Sequence, residues 1–275
     1  MIEVHIDQAR FIVRNQRQFD NVSPAARELD SIKTIGGFVG NVSGLTKKLK
    51  RQEALQRVAE STPVESPAFK IHHSDFRKLQ IEPGTIDLIC TDVVWSQDCV
   101  KDWADLGTLA AKWLKSNGMF VSLVGQMHLD KFIQAICPNL KYVTTFASVF
   151  ANGGRNINRV LNVAEGWRSA AIFAPIDQQT DLNRVSDVID SSGPEKEYHE
   201  WQQTLGVVRE LVRRLAPKEG PALICDPCLG SGTTAVAVAQ LRDTLSFVGC
   251  DIDAEAVKIA KHRLAAEGFA KRTAG

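Results

Sequence analysis

Apolar runs alternate with amphipathic segments along the chain after the proline at residue 67. Short apolar runs bounded by turn residues are typical of buried strands, whereas apolar residues spaced three or four apart are typical of helices. Helical spacing is clear at Trp103, Leu106, Ala110 and Trp113. Seven runs predict strands, and they cover residues 69–72, 86–91, 119–125, 142–150, 169–174, 222–226 and 246–251. This alternation predicts an α/β fold with a mostly parallel sheet that is covered on both faces.

The first sixty residues follow a different pattern, with few strand-like runs. One helix is predicted to begin after Ser23-Pro24, since proline suits the first helical position, and another to span residues 46–59. Up to Ser61 the net charge is +3, which fits either a solvated helix face or a face that contacts phosphates. The Pro- and Ser-containing residues 61–67 are typical of a linker. We therefore predict a helical N-terminal extension over residues 1–63 and a second domain over residues 64–275.

The composition is that of an ordinary globular protein. The chain has 275 residues, a net charge of +1 and 44% hydrophobic residues, which argues against a disordered or fibrous protein. No apolar run reaches the roughly 18 residues that a membrane span needs. The six cysteines are scattered and do not form a disulfide framework. These features predict a cytoplasmic protein with no membrane partner, and the balanced charge alone gives no support for nucleic acid.

The most informative stretch covers residues 223–234 and is followed by an apolar run that ends at Asp251. It predicts a strand, a tight turn at Gly230 and Gly232, a helix start and a second strand. Glycine lets the backbone bend sharply and approach a ligand closely, and an acidic residue at the tip of the second strand is placed to bind ribose hydroxyls. A phosphate-binding loop is disfavoured because the Gly-Lys-Ser/Thr pattern is absent. Asp226 would also repel a phosphate, but it suits a cationic group.

Two other interpretations of this stretch stay open. The glycine turn is also consistent with a role in packing alone, and Cys225 with Cys228 is consistent with half of a zinc site or a redox pair. No second cysteine pair accompanies them in the sequence, and both lie inside the turn segment. We therefore expect no metal.

Residues 226–234, Asp-Pro-Cys-Leu-Gly-Ser-Gly-Thr-Thr, resemble the S-adenosylmethionine signature DPFxGSGTT of the amino-group DNA methyltransferases, which modify adenine N6 or cytosine N4. The resemblance implies a Rossmann-like fold, S-adenosyl-L-methionine as cofactor and DNA as partner. It also implies that Asp251 holds the ribose of the cofactor. The residues that it places around the methionine part are Asp226, Pro227, Leu229, Gly230, Ser231, Gly232, Thr233 and Thr234.

The segment Asp92-Val93-Val94-Trp95, at the end of a predicted strand, resembles the D/N/S-P-P-Y/F/W catalytic motif of this family. The resemblance implies that the Asp92 side chain and the Val93 carbonyl accept hydrogen bonds from the target amino group, and that Trp95 stacks on the extruded base. An aspartate at this position favours adenine N6 over cytosine N4. Valines replace both prolines, so the stiff turn of the motif is lost. Two hypotheses remain: an active DNA methyltransferase, or a weakened or inactive module that binds cofactor or DNA.

The catalytic-type motif precedes the cofactor motif, which resembles the circularly permuted β-class arrangement with a seven-stranded sheet. That arrangement implies that the strand at residues 69–72 follows the Asp251 strand in the sheet, with Asp75 near the cofactor adenine. Residues 195–203 resemble the family's H-P-x-Q-K-P segment with Gln203-Thr204 in place of Lys-Pro. This implies a contact of His199 with the methionine end, although a capping or core histidine fits equally well. The run from residue 191 to 201 resembles the methylases associated with ParB-like domains in bacterial mobile elements.

Restriction-type relatives carry a target-recognition domain where this chain has only residues 176–197, which have a net charge of −4. Such a segment is unsuited to phosphates. Arg155, Arg159 and Arg168 are better candidates for DNA contacts, although ordinary surface arginines fit as well. We expect DNA recognition to need a separate partner or a homodimer. A methyltransferase for RNA or protein glutamine is a rival, disfavoured because its cofactor motif usually comes first.

Overall fold

The structure is a computed structural model that describes residues 51–54, 56–57, 60–63, 66–94, 99–150, 157–158, 162–178, 185–191, 198 and 202–269. The chain divides into two compact units, Met1–Arg57 and Val58–Gly275. The helix predicted after Ser23-Pro24 lies outside the described residues. Within the helix predicted for residues 46–59, residues 51–54 and 56–57 are helical.

A single large sheet forms the centre of the second unit, and an isolated two-stranded hairpin accompanies it. Among the described residues, the order of the strands in the large sheet is β1-β10-β9-β2-β3-β7-β4-β8. All neighbouring pairs are parallel except those that β7 makes with β3 and β4. The strands of the chain are β1 Phe69–His73, β2 Ile86–Asp92, β3 Leu114–Val124, β4 Lys141–Phe150, β5 Ile157–Asn158, β6 Val163–Ala164, β7 Trp167–Ala174, β8 Val188–Ser191, β9 Ala222–Asp226 and β10 Leu245–Asp251.

Helices cover both faces of the sheet, as the alternating pattern predicts. On one face, residues of α1 and α2 pack in a buried apolar cluster with Ile89 of β2. On the other face, residues of α3, α4 and α5 pack with Leu88 and Cys90, because successive side chains of a strand point to opposite faces. The helices are α1 Val100–Trp113, α2 Leu129–Ile136, α3 Leu205–Leu215, α4 Thr233–Leu241 and α5 Ala254–Arg263. No helix in the described part of the chain has the length and apolar character needed to cross a membrane.

The order of the strands brings the predicted motifs to one edge of the sheet. Strand β1 pairs in parallel with β10, and His73 lies opposite Asp251. The prediction that the strand at residues 69–72 follows the Asp251 strand is therefore confirmed. Because β1, β10, β9 and β2 are parallel, their carboxyl ends meet at the same edge, where open α/β sheets bind ligands.

The sheet has eight strands among the described residues, so the predicted number of seven was wrong. The additional strand, β8, pairs in parallel with β4 at the edge of the sheet. It lies in the acidic segment between residues 176 and 197, where its four residues include Asp190 and Ser191 and give no clear strand pattern. The turn predicted around Gly118 also differs, since β3 begins at Leu114 and contains an irregularity in its pairing with β2.

A buried carboxylate joins three neighbouring strands at the opposite end of the sheet from the motifs. Asp87 of β2 is 6% exposed, accepts a hydrogen bond from the Leu223 backbone N–H at 2.8 Å, and forms an ion pair with Lys115 Nζ at 2.8 Å. Lys115 therefore binds across the strands and does not merely end a helix.

We expect Asp87→Ala to lower the free energy of unfolding by about 2 kcal/mol, because it leaves the partly buried Leu223 N–H without its acceptor. Lys101→Ala removes an exposed ion pair with Asp105 and should cost no more than about 0.5 kcal/mol. Urea unfolding of both variants measures the difference. Equal losses would show that Asp87 adds nothing beyond a surface charge.

Candidate active site

The predicted strand, glycine turn and helix are all present between β9 and α4. Gly230 has φ +52° and Gly232 has φ +84°, which is left-handed backbone that favours glycine. The turn is closed by hydrogen bonds from the Leu229 N–H to the Cys250 carbonyl at 2.9 Å and from the Gly232 N–H to the Leu229 carbonyl at 3.0 Å. A Cβ on Gly230 would have no atom within 4 Å. The turn at Gly230 is therefore open to close approach by a ligand.

Asp226 ends β9 and is only 3% exposed. Its Oδ1 accepts hydrogen bonds from Thr91 Oγ1 at 2.8 Å and from the Cys228 N–H at 3.1 Å. Burial raises the pKa of this carboxyl to about 6, against the hydrogen bonds of Thr234, Thr91 and Cys228, which lower it. The site thus contains a buried carboxylate that is charged at neutral pH and is suited to a cationic ligand group.

The Asp251 carboxylate, at the end of β10, shapes the glycine turn. Its Oδ2 accepts a hydrogen bond from the Gly230 N–H at 2.7 Å, and its Oδ1 accepts one from the Asp253 N–H at 2.9 Å. Each carboxylate oxygen can accept more than one hydrogen bond. Asp251 can therefore hold the turn and still receive hydroxyl groups of a ligand.

Asp75, predicted to lie near an adenine, follows β1 at the same edge as Asp251. Its Oδ1 accepts a hydrogen bond from the Arg77 N–H at 2.8 Å, and its Oδ2 forms an ion pair with the Arg77 guanidinium at 3.1 Å. Arg77 also pairs with Asp102 and, at 2.9 Å, with Asp105 of α1. The hydrogen bonds of Lys101 and Arg77 keep the pKa of Asp105 below its usual value. No local pattern indicated this network, because its members are 2 to 30 residues apart.

The Asp92 carboxylate, at the end of β2, is held by a residue that the sequence analysis did not assign. Gln203 Nε2 donates a hydrogen bond to Asp92 Oδ2. Gln203 Oε1 in turn accepts one from Arg168 Nη1 at 2.5 Å. Because β7 is antiparallel to β3, Arg168 at its start lies at the edge where β2 ends. Arg168, a candidate for DNA contact, instead has a half-buried guanidinium engaged with Gln203.

The two valines that follow Asp92 have different environments. Val93 is 6% exposed and belongs to the apolar cluster of α1 and α2, whereas Val94 is 71% exposed. The Val94 carbonyl accepts a hydrogen bond from Trp103 Nε1 at 3.0 Å. Trp103 is buried in α1 and packs edge-on against Phe132, with ring centroids 5.5 Å apart. This indole fixes the backbone of a segment that lacks the two prolines. Trp95 and His199 lie outside the described residues.

Arg263 at the end of α5 is a second residue that the sequence analysis missed. It is 1% exposed, donates to Thr233 Oγ1 at 3.0 Å and to the Ser231 carbonyl at 3.4 Å, and forms an ion pair with Glu267 at 2.9 Å. Its guanidinium carbon lies 4.5 Å from the centroid of the Tyr198 ring. A buried arginine thus supports the glycine turn from below. Its position in a helical pattern showed no sign of this role.

The cysteines around the turn do not form a metal site. Burial raises the pKa of the Cys225 and Cys228 thiols well above the usual value, and that of Cys250 to about 12. Such thiols are protonated at neutral pH, whereas the thiolate is the form that binds metals. No group of three or more metal-ligating side chains with suitable geometry occurs among the residues that the structure describes.

Residues 151–262 match the N6/N4 methyltransferase family model, which is described as DNA methylase. This segment contains the glycine turn and Asp251 but not the Asp92 motif. The chain matches no curated protein.

Solved structures with the same fold include several DNA methyltransferases. The M1.HpyAVI–SAM complex has a TM-score of 0.56 and 20% identity and covers 71% of this chain and 98% of its own. A Thermus thermophilus protein described as a DNA modification methylase has a TM-score of 0.59 and 14% identity, with 73% and 96% covered. The cytosine-N4-specific PvuII DNA methyltransferase has a TM-score of 0.58 and 13% identity, with 73% and 90% covered.

The sheet order, the glycine turn and these likenesses define a Rossmann-like methyltransferase fold. The family-model match supports the assignment of the chain to the amino-group DNA methyltransferases that the two motifs indicated. The ParB-associated branch remains a prediction.

We expect Gly232→Ala to lower the free energy of unfolding by about 2–4 kcal/mol, since the new Cβ would be strained at φ +84° and would lie 2.8 Å from Ala260 Cβ. Gly220→Ala is the matched control, because Gly220 has φ +71° with no atom within 4 Å of the methyl group that alanine would add. It should cost about 1–2 kcal/mol. Thermal unfolding compares the two, and an equal loss would contradict tight packing of α4 against α5.

Proposed function

We propose that this chain transfers a methyl group from S-adenosyl-L-methionine to an exocyclic amine of a DNA base, with adenine N6 as the target. The observation that carries the proposal is the hydrogen bond from Thr91 to Asp226, which joins the strand of the catalytic motif to the strand of the cofactor motif. Asp92 is the next residue after Thr91. The groups proposed for the cofactor and for the target amine therefore lie side by side at the carboxyl ends of β9 and β2.

The residues around the turn fit S-adenosyl-L-methionine. The open space at Gly230 admits close approach of the backbone, the buried Asp226 carboxylate suits the cationic methionine end, and Asp251 retains acceptor capacity for ribose hydroxyls. When bound, this cofactor supplies an electrophilic methyl group on its sulfonium. Asp75 near the adenine and His199 near the methionine end remain proposed contacts.

On the substrate side, the Asp92 carboxylate and the Val93 carbonyl are proposed to accept hydrogen bonds from the target amino group. These acceptors raise electron density on the nitrogen as it attacks the methyl carbon. Trp95 is proposed to stack on the extruded base. The bond between Trp103 and the Val94 carbonyl supports an active site, since it restrains the backbone where the prolines would have done so.

DNA is the proposed substrate and partner. The positive charge of residues 1–63, proposed to form a helical extension, supplies the basic excess that the rest of the chain lacks. Because Arg168 is engaged with Gln203, phosphate contacts are proposed to come from this extension, from a separate recognition partner or from a second copy.

The proposal is tested by transfer of labelled methyl groups from S-adenosyl-L-methionine to mixed unmethylated DNA. We expect Asp92→Ala to reduce transfer about 100-fold, because it removes an acceptor aimed at the reacting amine. Calorimetry should show cofactor affinity changed by no more than about threefold, since Asp92 is placed on the substrate side. No transfer by the wild type, with cofactor binding intact, would favour the inactive cofactor-binding module.

Cofactor binding should also depend on pH through Asp226. Because burial raises the pKa of this carboxyl to about 6, it is protonated below that pH and loses its attraction for a cationic ligand. We expect affinity to weaken as pH falls through about 6, and Asp226→Asn to bind weakly with no pH dependence in this range.

Calorimetry between about pH 5 and about pH 8 measures this effect. The control is His73→Gln, because imidazoles titrate in the same range and His73 bonds the Ile252 carbonyl at 3.0 Å beside the site. The His73 variant should keep the pH dependence. If the dependence disappears there and persists in Asp226→Asn, the assignment to Asp226 is wrong.

A further inference from the structure

We propose that Gln203 is a positioning residue that orients the Asp92 carboxylate through a relay from Arg168. The proposal rests on the proposed function for its catalytic consequence, while the relay itself is a property of the folded chain. Neither motif of the sequence contains Gln203 or Arg168 as an assigned site residue. They come from β7 and from the residues that precede α3, two parts of the chain that are more than thirty positions apart.

The hydrogen-bonding capacities of the three side chains fix the direction of the relay. The Arg168 guanidinium has only donors, and an ionised Asp92 carboxylate has only acceptors. A glutamine between them satisfies both only when its oxygen faces Arg168 and its NH2 group faces Asp92. The structure has this arrangement, with Arg168 Nη1 2.5 Å from Gln203 Oε1 and Gln203 Nε2 bonded to Asp92 Oδ2.

Surrounding contacts hold both ends of the relay. Ser169 Oγ donates to the Val124 carbonyl at 2.5 Å, and Gln126 Nε2 donates to the Trp167 carbonyl at 2.7 Å, so the two neighbours of Arg168 are tied to the end of β3. Gln202 Oε1 accepts a hydrogen bond from the Tyr198 N–H at 2.9 Å. Burial lowers the pKa of Arg168, while the charge of Asp92 raises it. The negative carboxylate therefore stabilises the half-buried guanidinium beyond the intervening amide.

The relay explains why a glutamine occupies this position. In the segment that residues 195–203 resemble, the corresponding residue is lysine, which has three donors and no acceptor. A lysine at 203 could donate to Asp92 but would leave the Arg168 N–H facing another cation. Glutamine satisfies both neighbours. By holding Oδ2, it fixes the rotation of the carboxylate and hence the direction of its other oxygen, in a motif that lacks the stiff Pro-Pro turn.

Two substitutions of similar shape separate this role from simple anchoring. Gln203→Glu keeps an acceptor for Arg168 but removes the donor to Asp92, whereas Gln203→Met removes both. If Gln203 positions Asp92, both variants should lower kcat for methyl transfer by at least about tenfold, with cofactor affinity unchanged within about twofold. If Gln203 only anchors its segment to β7, the glutamate variant should retain the wild-type kcat, and that result would overturn the proposal. Gln80→Glu, at an exposed glutamine, is the matched control.

A second measurement does not need catalysis. The side-chain amide proton resonances of Gln203, identified by their absence in Gln203→Met, should lie downfield in the wild type and return toward the free position in Asp92→Ala. If Asp92→Ala leaves them unchanged, the relay is absent and the proposal fails. Downfield resonances in a wild type that transfers no methyl group would instead refute the proposed function and retain the positioning of Asp92 by Gln203.

Discussion

The hydrogen bond between Thr91 and Asp226 is the interaction on which the site depends. It crosses from β2 to β9, two parallel strands whose carboxyl ends meet at one edge of the sheet. A buried carboxylate is costly unless its oxygens are paired, and Thr91 supplies such a partner next to Asp92. The same bond that makes Asp226 tolerable inside the fold therefore sets the spacing between the proposed cofactor acid and the proposed catalytic acid.

The departure from the family's catalytic motif is accompanied by side-chain contacts. Two prolines would restrict the backbone after Asp92 directly. Here Trp103 fixes the Val94 carbonyl, and Gln203 holds the Asp92 carboxylate. The antiparallel strand β7 has a function in this arrangement, because its first residues lie at the edge where the parallel strands end and bring Arg168 there. These contacts argue for an active site whose rigidity comes from tertiary packing.

Much of the fold was predictable because it rests on local patterns. Apolar runs identified seven strands, and the order of the motifs correctly placed β1 beside β10. The strand β8 was missed because a short, polar edge strand leaves little signal. Gln203, Arg168 and Arg263 were missed for another reason: their roles come from contacts between distant parts of the chain. Asp226 and Asp251 lie at the tips of adjacent strands as the signature implied, whereas their contact with a cofactor remains a prediction.

The near-zero net charge acquires a clearer meaning from this site. The structure uses Arg168 and Arg263 internally, on Gln203 and beneath the glycine turn, so these cations are not available to phosphates. The central claim is methylation of an exocyclic base amine, and the most direct test is nucleoside analysis of DNA after incubation with the protein and S-adenosyl-L-methionine. The account predicts N6-methyladenine as the product. Methyl groups found only at a ring carbon, in RNA or in protein would contradict it.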